Sequence, residues 1–165
     1  MLTLIFVFIN IPWLLIFINM QLGPEPPRPE ITYGEFPITL VYELKGERKE
    51  IKDAVICEFD GFGANEATGK FREWKMKLES GQEEITLLRI DDSEQIYSPS
   101  GFCHYYMDDL SEGVSYDPAS LKAALLVKRG GSVMTSRISE KELFDKYNIK
   151  LISSDFSQPI TNSYK

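Results

Sequence analysis

His104 is the only histidine of the chain, and it directly follows Cys103; the other cysteine is Cys57. In an extended segment neighbouring side chains point to opposite faces, so Cys103 and His104 do not form a thiol–imidazole dyad by adjacency. Cys57 lies within Val55-Ile56-Cys57-Glu58-Phe59. On a strand it shares a face with Val55 and Phe59, where a thiol behaves as a small apolar group. Two cysteines permit a Cys57–Cys103 bridge in an oxidising compartment without requiring one. With one histidine they also fall short of the four soft ligands of a structural zinc site.

The glycine-rich and acidic stretches fail the tests for ion and nucleotide loops. In Asp60-Gly61-Phe62-Gly63-Ala64, Phe62 and Ala64 stand where a calcium loop places oxygen ligands. After Asp91-Asp92-Ser93-Glu94, Ile96 stands where the turn glycine belongs. Gly69-Lys70 stands near phosphate-loop spacing from Gly63, but Phe71 replaces the hydroxyl residue that would hold magnesium. Gly131-Ser132-Val133-Met134 lacks the second glycine of a nucleophile elbow. The sequence therefore predicts no cofactor, no metal site and no catalytic residue. Carboxylates remain, 25 of them. A carboxylate-dependent enzyme on envelope polymer would draw on such residues as Glu58, Asp60, Glu66, Asp91 and Asp108, and needs two facing one cleft.

Binding is the stronger expectation. Phe102, Tyr105 and Tyr106 cluster in a connection, where amphipathic rings serve as anchors for a partner. The run Lys70, Arg72, Lys75, Lys77 reads as a solvated strand face rather than a contact patch. With 18 basic and 25 acidic residues the formal charge is −7, and no long basic block is present. That balance makes the chain a poor candidate for nucleic-acid binding by phosphate neutralisation, and no nucleic-acid partner is expected.

Residues 1–22 carry no charged side chain, and about 20 apolar residues suffice to span a bilayer as a helix. No basic residue precedes the run and no small-residue cleavage site follows it, so an uncleaved transmembrane anchor is favoured over a removed signal. The expected orientation keeps the N-terminus in the cytoplasm and the rest of the chain outside. Residues 23–30 hold Pro24, Pro26, Pro27 and Pro29 and read as a stiff polyproline stalk. Residues 31–165 then form one domain.

The period within that domain is mostly two. Ile38, Leu40, Tyr42 and Leu44 alternate along a strand, Lys45-Gly46-Glu47 makes a turn, and Lys49 to Phe59 returns as the partner strand. Gly61, Gly63 and Gly69 mark a long loop after it. Strands follow over Phe71–Leu78, Ile85–Ile90 and near Gln95–Tyr97, and 98–118 is a partly ordered connection. Gly130-Gly131 turns a hairpin between Leu121–Lys128 and Val133–Ile138. Ser139 and Glu142 form a capping box for a helix over Glu140–Tyr147, with Leu143, Phe144 and Tyr147 as its apolar stripe and Asn148 as its left-handed stop. Lys150–Phe156 closes the pattern as a strand. The fold class is mainly β, an antiparallel sandwich or partly open barrel with one short C-terminal helix.

Several phrases resemble a group of small single-anchor membrane proteins of Gram-positive bacteria without an established activity. They are Ile31-Thr32-Tyr33-Gly34-Glu35-Phe36-Pro37, Val55 to Gly61, Thr68-Gly69-Lys70-Phe71-Arg72 with Trp74, Ile85-Thr86-Leu87-Leu88, Tyr105-Tyr106-Met107 and Tyr147 to Ile152. The resemblance implies an N-terminal membrane segment and an exported domain. The expected function is a membrane-tethered extracytoplasmic binding domain whose partner is an envelope protein or cell-wall component. An immunity-like inhibitor of a basic target is the other binding alternative.

Overall fold

The structure is a computed structural model that describes Ile11, Trp13, Leu15, Ile18, residues 22–66, 69–110, Tyr116, 123–129 and 132–165. Among the described residues from Gly23 onward, the chain forms two four-stranded antiparallel sheets and two short helices. The first sheet is ordered β3-β2-β1-β8 and the second β4-β5-β6-β7. The strands are β1 Tyr33–Leu44, β2 Glu47–Asn65, β3 Gly69–Leu78, β4 Ile85–Arg89, β5 Glu94–Ser98, β6 Ala124–Arg129, β7 Ser132–Arg137 and β8 Ile149–Phe156. Helix α1 is Cys103–Tyr106 and α2 is Glu140–Tyr147. The predicted mainly β class is present; α1 adds a helix that the sequence reading left as connection.

The alternation of apolar residues decides which faces meet. Phe36, Ile38, Leu40 and Tyr42 point inward from β1, Val55 and Cys57 from β2, and Ile85, Leu87 and Ile96 from the second sheet. All belong to one apolar core, so the two sheets bury their inner faces together. The Tyr42 hydroxyl crosses the core to donate to the Leu87 carbonyl at 3.0 Å, which gives a buried phenol its partner.

Local turn chemistry behaves as its residues dictate. Lys45 and Gly46 both take positive φ, 54° and 83°, and Leu44 pairs with Glu47 across them. This is the two-residue hairpin whose backbone matches strand twist. Asn148 ends α2 at φ 53°, and the Ser139 hydroxyl accepts from the Glu142 amide at 3.2 Å. The reciprocal half of the capping box is replaced: Glu142 pairs with Lys146 instead. Leu143 is buried as expected, whereas Phe144 is exposed.

The region predicted as a glycine loop is strand. β2 continues to Asn65, with the register shifting between Phe59 and Gly61. The extra residue at this bulge re-phases the strand, so Phe59 and Phe62 come to one face and meet edge to face at 5.4 Å. Gly63 pairs with Phe71, and a Cβ there would stand 2.7 Å from Phe71 Cζ and closer still to the Glu73 carboxylate. Cross-strand aromatic cover explains why a glycine is held inside this strand. The bulge and hairpin carry the strand pair outward past the core, which local glycine content does not reveal.

The basic run is divided by the β3 pleat. Arg72 and Trp74 pair with Phe62 and Phe59, while Lys75 pairs with Glu58 on the opposite face and Lys77 reaches Glu58 at 3.3 Å. The chain around 28–31 is fastened by the C-terminal tail. Arg28 and Lys165 exchange backbone hydrogen bonds at 2.8 and 3.0 Å, and the Glu30 amide donates to the Ser163 carbonyl at 2.8 Å. Asn162 pairs with both backbone groups of Ile31 at 3.0 Å.

The predicted anchor falls mainly outside the described residues. Ile11, Trp13, Leu15, Ile18 and Leu22 are helical and exposed. Among the described residues no helix is long and apolar enough to cross a membrane.

Candidate functional site

The predicted aromatic site is organised by α1. Cys103 opens this helix and is bonded to Cys57 of β2, with Cα atoms 5.5 Å apart. The bond closes a separation of 46 residues and presses a one-turn helix, too short to persist alone, against the first sheet. From that point the helix directs its rings two ways.

Tyr106 turns inward and is fully buried. Its ring stacks on Phe36 at 4.7 Å, and its hydroxyl donates to the Ser100 carbonyl at 2.7 Å. It is thus a core residue that holds the helix, not a surface that a partner could touch. Phe102 and Tyr105 remain half-buried at the surface. Tyr116 joins them, 4.3 Å from Phe102 and 5.4 Å from Tyr105, both edge on. His104 leans on Phe102 with ring centres 6.3 Å apart. Two of the three predicted residues therefore share a ring cluster with Tyr116 and His104.

A cavity of about 280 Å³ adjoins this cluster, lined by Lys70, Phe71, Arg72, His104, Asp109 and Leu110, with Pro26 at its rim. Its wall is an ion-pair network. Arg72 Nε donates to Asp109 Oδ1 at 2.9 Å and Nη2 reaches the same oxygen. Trp74 Nε1 donates to Oδ2 at 2.8 Å. The remaining Arg72 Nη1 donates to the Pro27 carbonyl at 3.1 Å, and the guanidinium lies 4.3 Å from the Tyr164 ring centre. The Asp109 hydrogen bonds hold the Arg72 guanidinium protonated, above its usual range. Tyr164 donates to the Met107 carbonyl at 2.7 Å, so the tail crosses α1 as a strap. Burial, then the nearby Asp109 charge, pushes the Tyr164 phenol up to about 12.

The proposed carboxylates do not converge. Glu58 pairs with Lys77 on the outer face, Asp60 sits at the bulge, Glu66 ends the β2 hairpin arm, and Asp108 takes a positive φ after α1. Asp91 Oδ1 accepts from the Ser93 amide at 2.7 Å and shapes the β4–β5 turn. Asp91 borders a polar hollow with Arg89, Gln95 and Lys128; the others border neither that hollow nor the cavity beside α1. Glu84 is the carboxyl that burial, with Glu83 beside it, holds above the usual range. Among the described residues no three His, Cys, Asp or Glu side chains gather as a metal set.

Sequence reasoning missed Tyr116, His104 and the Arg72–Asp109 pair as parts of this surface. Asp109 lies 35 to 37 positions from its partners on β3, so no local pattern links them. The crowding of aromatics over 98–118 is the one signal that pointed toward Tyr116.

Comparison with protein-family models, with curated proteins and with solved structures finds no match.

The Tyr106 phenol carries a pH prediction. Burial is the main cause that raises its ionisation above the usual range, followed by Tyr116 and Tyr105. The fold thus favours the neutral phenol. Its stabilising effect is intact below the unfolded-chain value of about 10 and is lost as pH climbs beyond that value. Tyr106→Phe is expected to cost about 1–3 kcal/mol at neutral pH, because the Ser100 carbonyl loses its donor. It is also expected to lose less stability than the parent between about pH 10 and 12. Urea unfolding at the two pH values checks both.

Proposed function

We propose that this chain is a membrane-tethered binding domain presented outside the cytoplasm, in a two-sheet sandwich carried on residues 23–30 and anchored by 1–22. Its partner, an envelope protein or cell-wall component, docks on the ring cluster around α1. The observation that carries this reading is the fixing of Phe102 and Tyr105 by a helix covalently tied to β2, with the Tyr116 ring against both and His104 of the same cluster lining the neighbouring cavity. Rigid aromatic anchors beside a hollow lose little conformational freedom on binding. A disulfide suits an oxidising compartment. The helical residues Ile11, Trp13, Leu15, Ile18 and Leu22 are apolar and uncovered, which suits lipid. The resemblance to exported single-anchor proteins points the same way.

Two measurements test the reading on the full chain in intact cells. An impermeant protease should remove a C-terminal tag while a cytoplasmic control survives; a protected tag refutes the location. A photo-reactive phenylalanine analogue in place of Phe102 should cross-link one defined envelope component, and the same group at Thr135 on β7 should not. Equal or absent products at the two positions refute the surface.

A further inference from the structure

The second apolar hollow lies along β8, and the edge beside it is open. The first sheet ends on this strand, which pairs on one side with β1. Two cavities of about 420 and 110 Å³ meet there at Glu140 and Leu151. Leu143, Phe144, Ile149 and Phe156 supply apolar walls, and Phe144 is 54% exposed. An unpaired edge next to an apolar groove is a template for another strand.

The charges of β8 select the occupant. Lys150 and Asp155 are both exposed, and neither has an ion-pair partner among the described residues. They stand second from either end of the strand. Residues five apart on a regular strand face opposite ways. Here the register against β1 shifts, with Tyr42 opposite Leu151 and Val41 opposite Ser153. Ile152 is the extra residue, and it re-phases the strand. Lys150 and Asp155 therefore share the outer face, opposite Glu43 and Thr39 of β1, while Leu151 and Ser154 share the inner face opposite Tyr42 and Leu40.

The geometry points to a second copy of this chain, its β8 added antiparallel to the first across a two-fold axis. In one register Ile149 stands opposite Phe156, Lys150 opposite Asp155 and Leu151 opposite Ser154. Every flanking pair matches in face, both charge pairs are attractive, and each apolar end meets an apolar end. The other edges lack this complementarity. β3 carries Lys70, Arg72, Lys75 and Lys77 against the single acid Glu73, an excess of positive charge that repels a copy of itself, and β4 and β7 carry one charge each, Arg89 and Arg137. The pairing also lays the apolar hollow of one molecule against that of the other.

Sedimentation of the full chain in mild detergent tests the proposal. The parent should associate as a dimer. Lys150→Asp converts both symmetric pairs from attraction to repulsion and should weaken association about 10- to 100-fold. Adding Asp155→Lys to the same chain should restore it to within a few-fold, which a general loss of folding would not do. Mixing a Lys150→Cys chain with an Asp155→Cys chain should give a covalent pair in high yield, and neither chain alone should. The native cysteines are already bonded to each other. Far-UV circular dichroism should be unchanged in these exposed-site variants, which separates weakened association from loss of the fold. A chain that stays monomeric at every concentration overturns the proposal, and leaves the edge to an extended segment of another protein. A dimer indifferent to the charge reversals overturns it as well, because association would then run through another surface such as the N-terminal segment.

Discussion

Reducing the Cys57–Cys103 bond is expected to lower the unfolding free energy of the domain by about 4 kcal/mol, close to a thousandfold in the folding equilibrium. The bond spans 46 positions, and the loop-closure relation puts the entropy withheld from an unfolded chain with such a link near that value. Both sulfurs are buried in the main core, so removing them by Cys57→Ala with Cys103→Ala adds a packing loss of about 1–2 kcal/mol. Urea unfolding with and without reductant measures the first effect on one chain. A difference below about 1 kcal/mol would mean that the packing of Tyr106 on Phe36 holds α1 without the bond. The same loss bears on function. With the link cut, a single helical turn remains to carry Phe102 and Tyr105, and hydrogen exchange at the α1 amides should quicken before the sheets open.

Asp109→Ala is expected to cost about 3–5 kcal/mol, the range for removing one member of a buried charge pair. The Asp109 side chain is 4% exposed and that of Arg72 20%. Truncation strands the guanidinium and frees the Trp74 indole N–H, which now donates at 2.8 Å. Asp109→Asn should lose less, because one oxygen still accepts, and the gap between the two variants reports the charge separately from the hydrogen bonds. The effect should spread along the network. Arg72 also holds the Pro27 carbonyl and the Tyr164 ring, so the amides of 28–31 and 162–165 should lose exchange protection together. If those amides stay protected, the backbone pairing of Arg28 with Lys165 fastens the N-terminal segment without help from the ion pair. A pair this specific is better read as a clamp that orders two termini than as a general source of stability, since a desolvated charge pair returns little net energy.

The legible parts of the fold are those whose cause lies within a few residues. Lys45-Gly46 makes the tight hairpin because a two-residue turn needs positive φ, and Gly46 adopts it without strain. Ser139 and Asn148 bound α2 through their own side chain and backbone. Ile38, Leu40 and Tyr42 alternate because the pleat has a period of two, so their inward face is readable from spacing alone. The Gly61–Gly63 stretch was illegible for a physical reason. Glycine marks a loop unless a partner strand covers it, and that cover, Phe71, is supplied from β3. Tyr105 and Tyr106 were indistinguishable in sequence. Which ring enters the core depends on how α1 sits against the first sheet, where Tyr106 stacks on Phe36.

Sequence alone determined the mainly β class, the turns and caps, the acidic balance, and the place in the chain where aromatic rings gather. These rest on local backbone preference and on periodic burial, both of which act over a few residues. Tertiary structure alone decided that Cys57 meets Cys103, that Asp109 closes on Arg72 and Trp74, that the tail straps α1, and that β8 returns beside β1 with one edge open. Each of these joins residues dozens of positions apart. Their proximity comes from the packing of two sheets on one core, a cooperative outcome that no short window of residues contains.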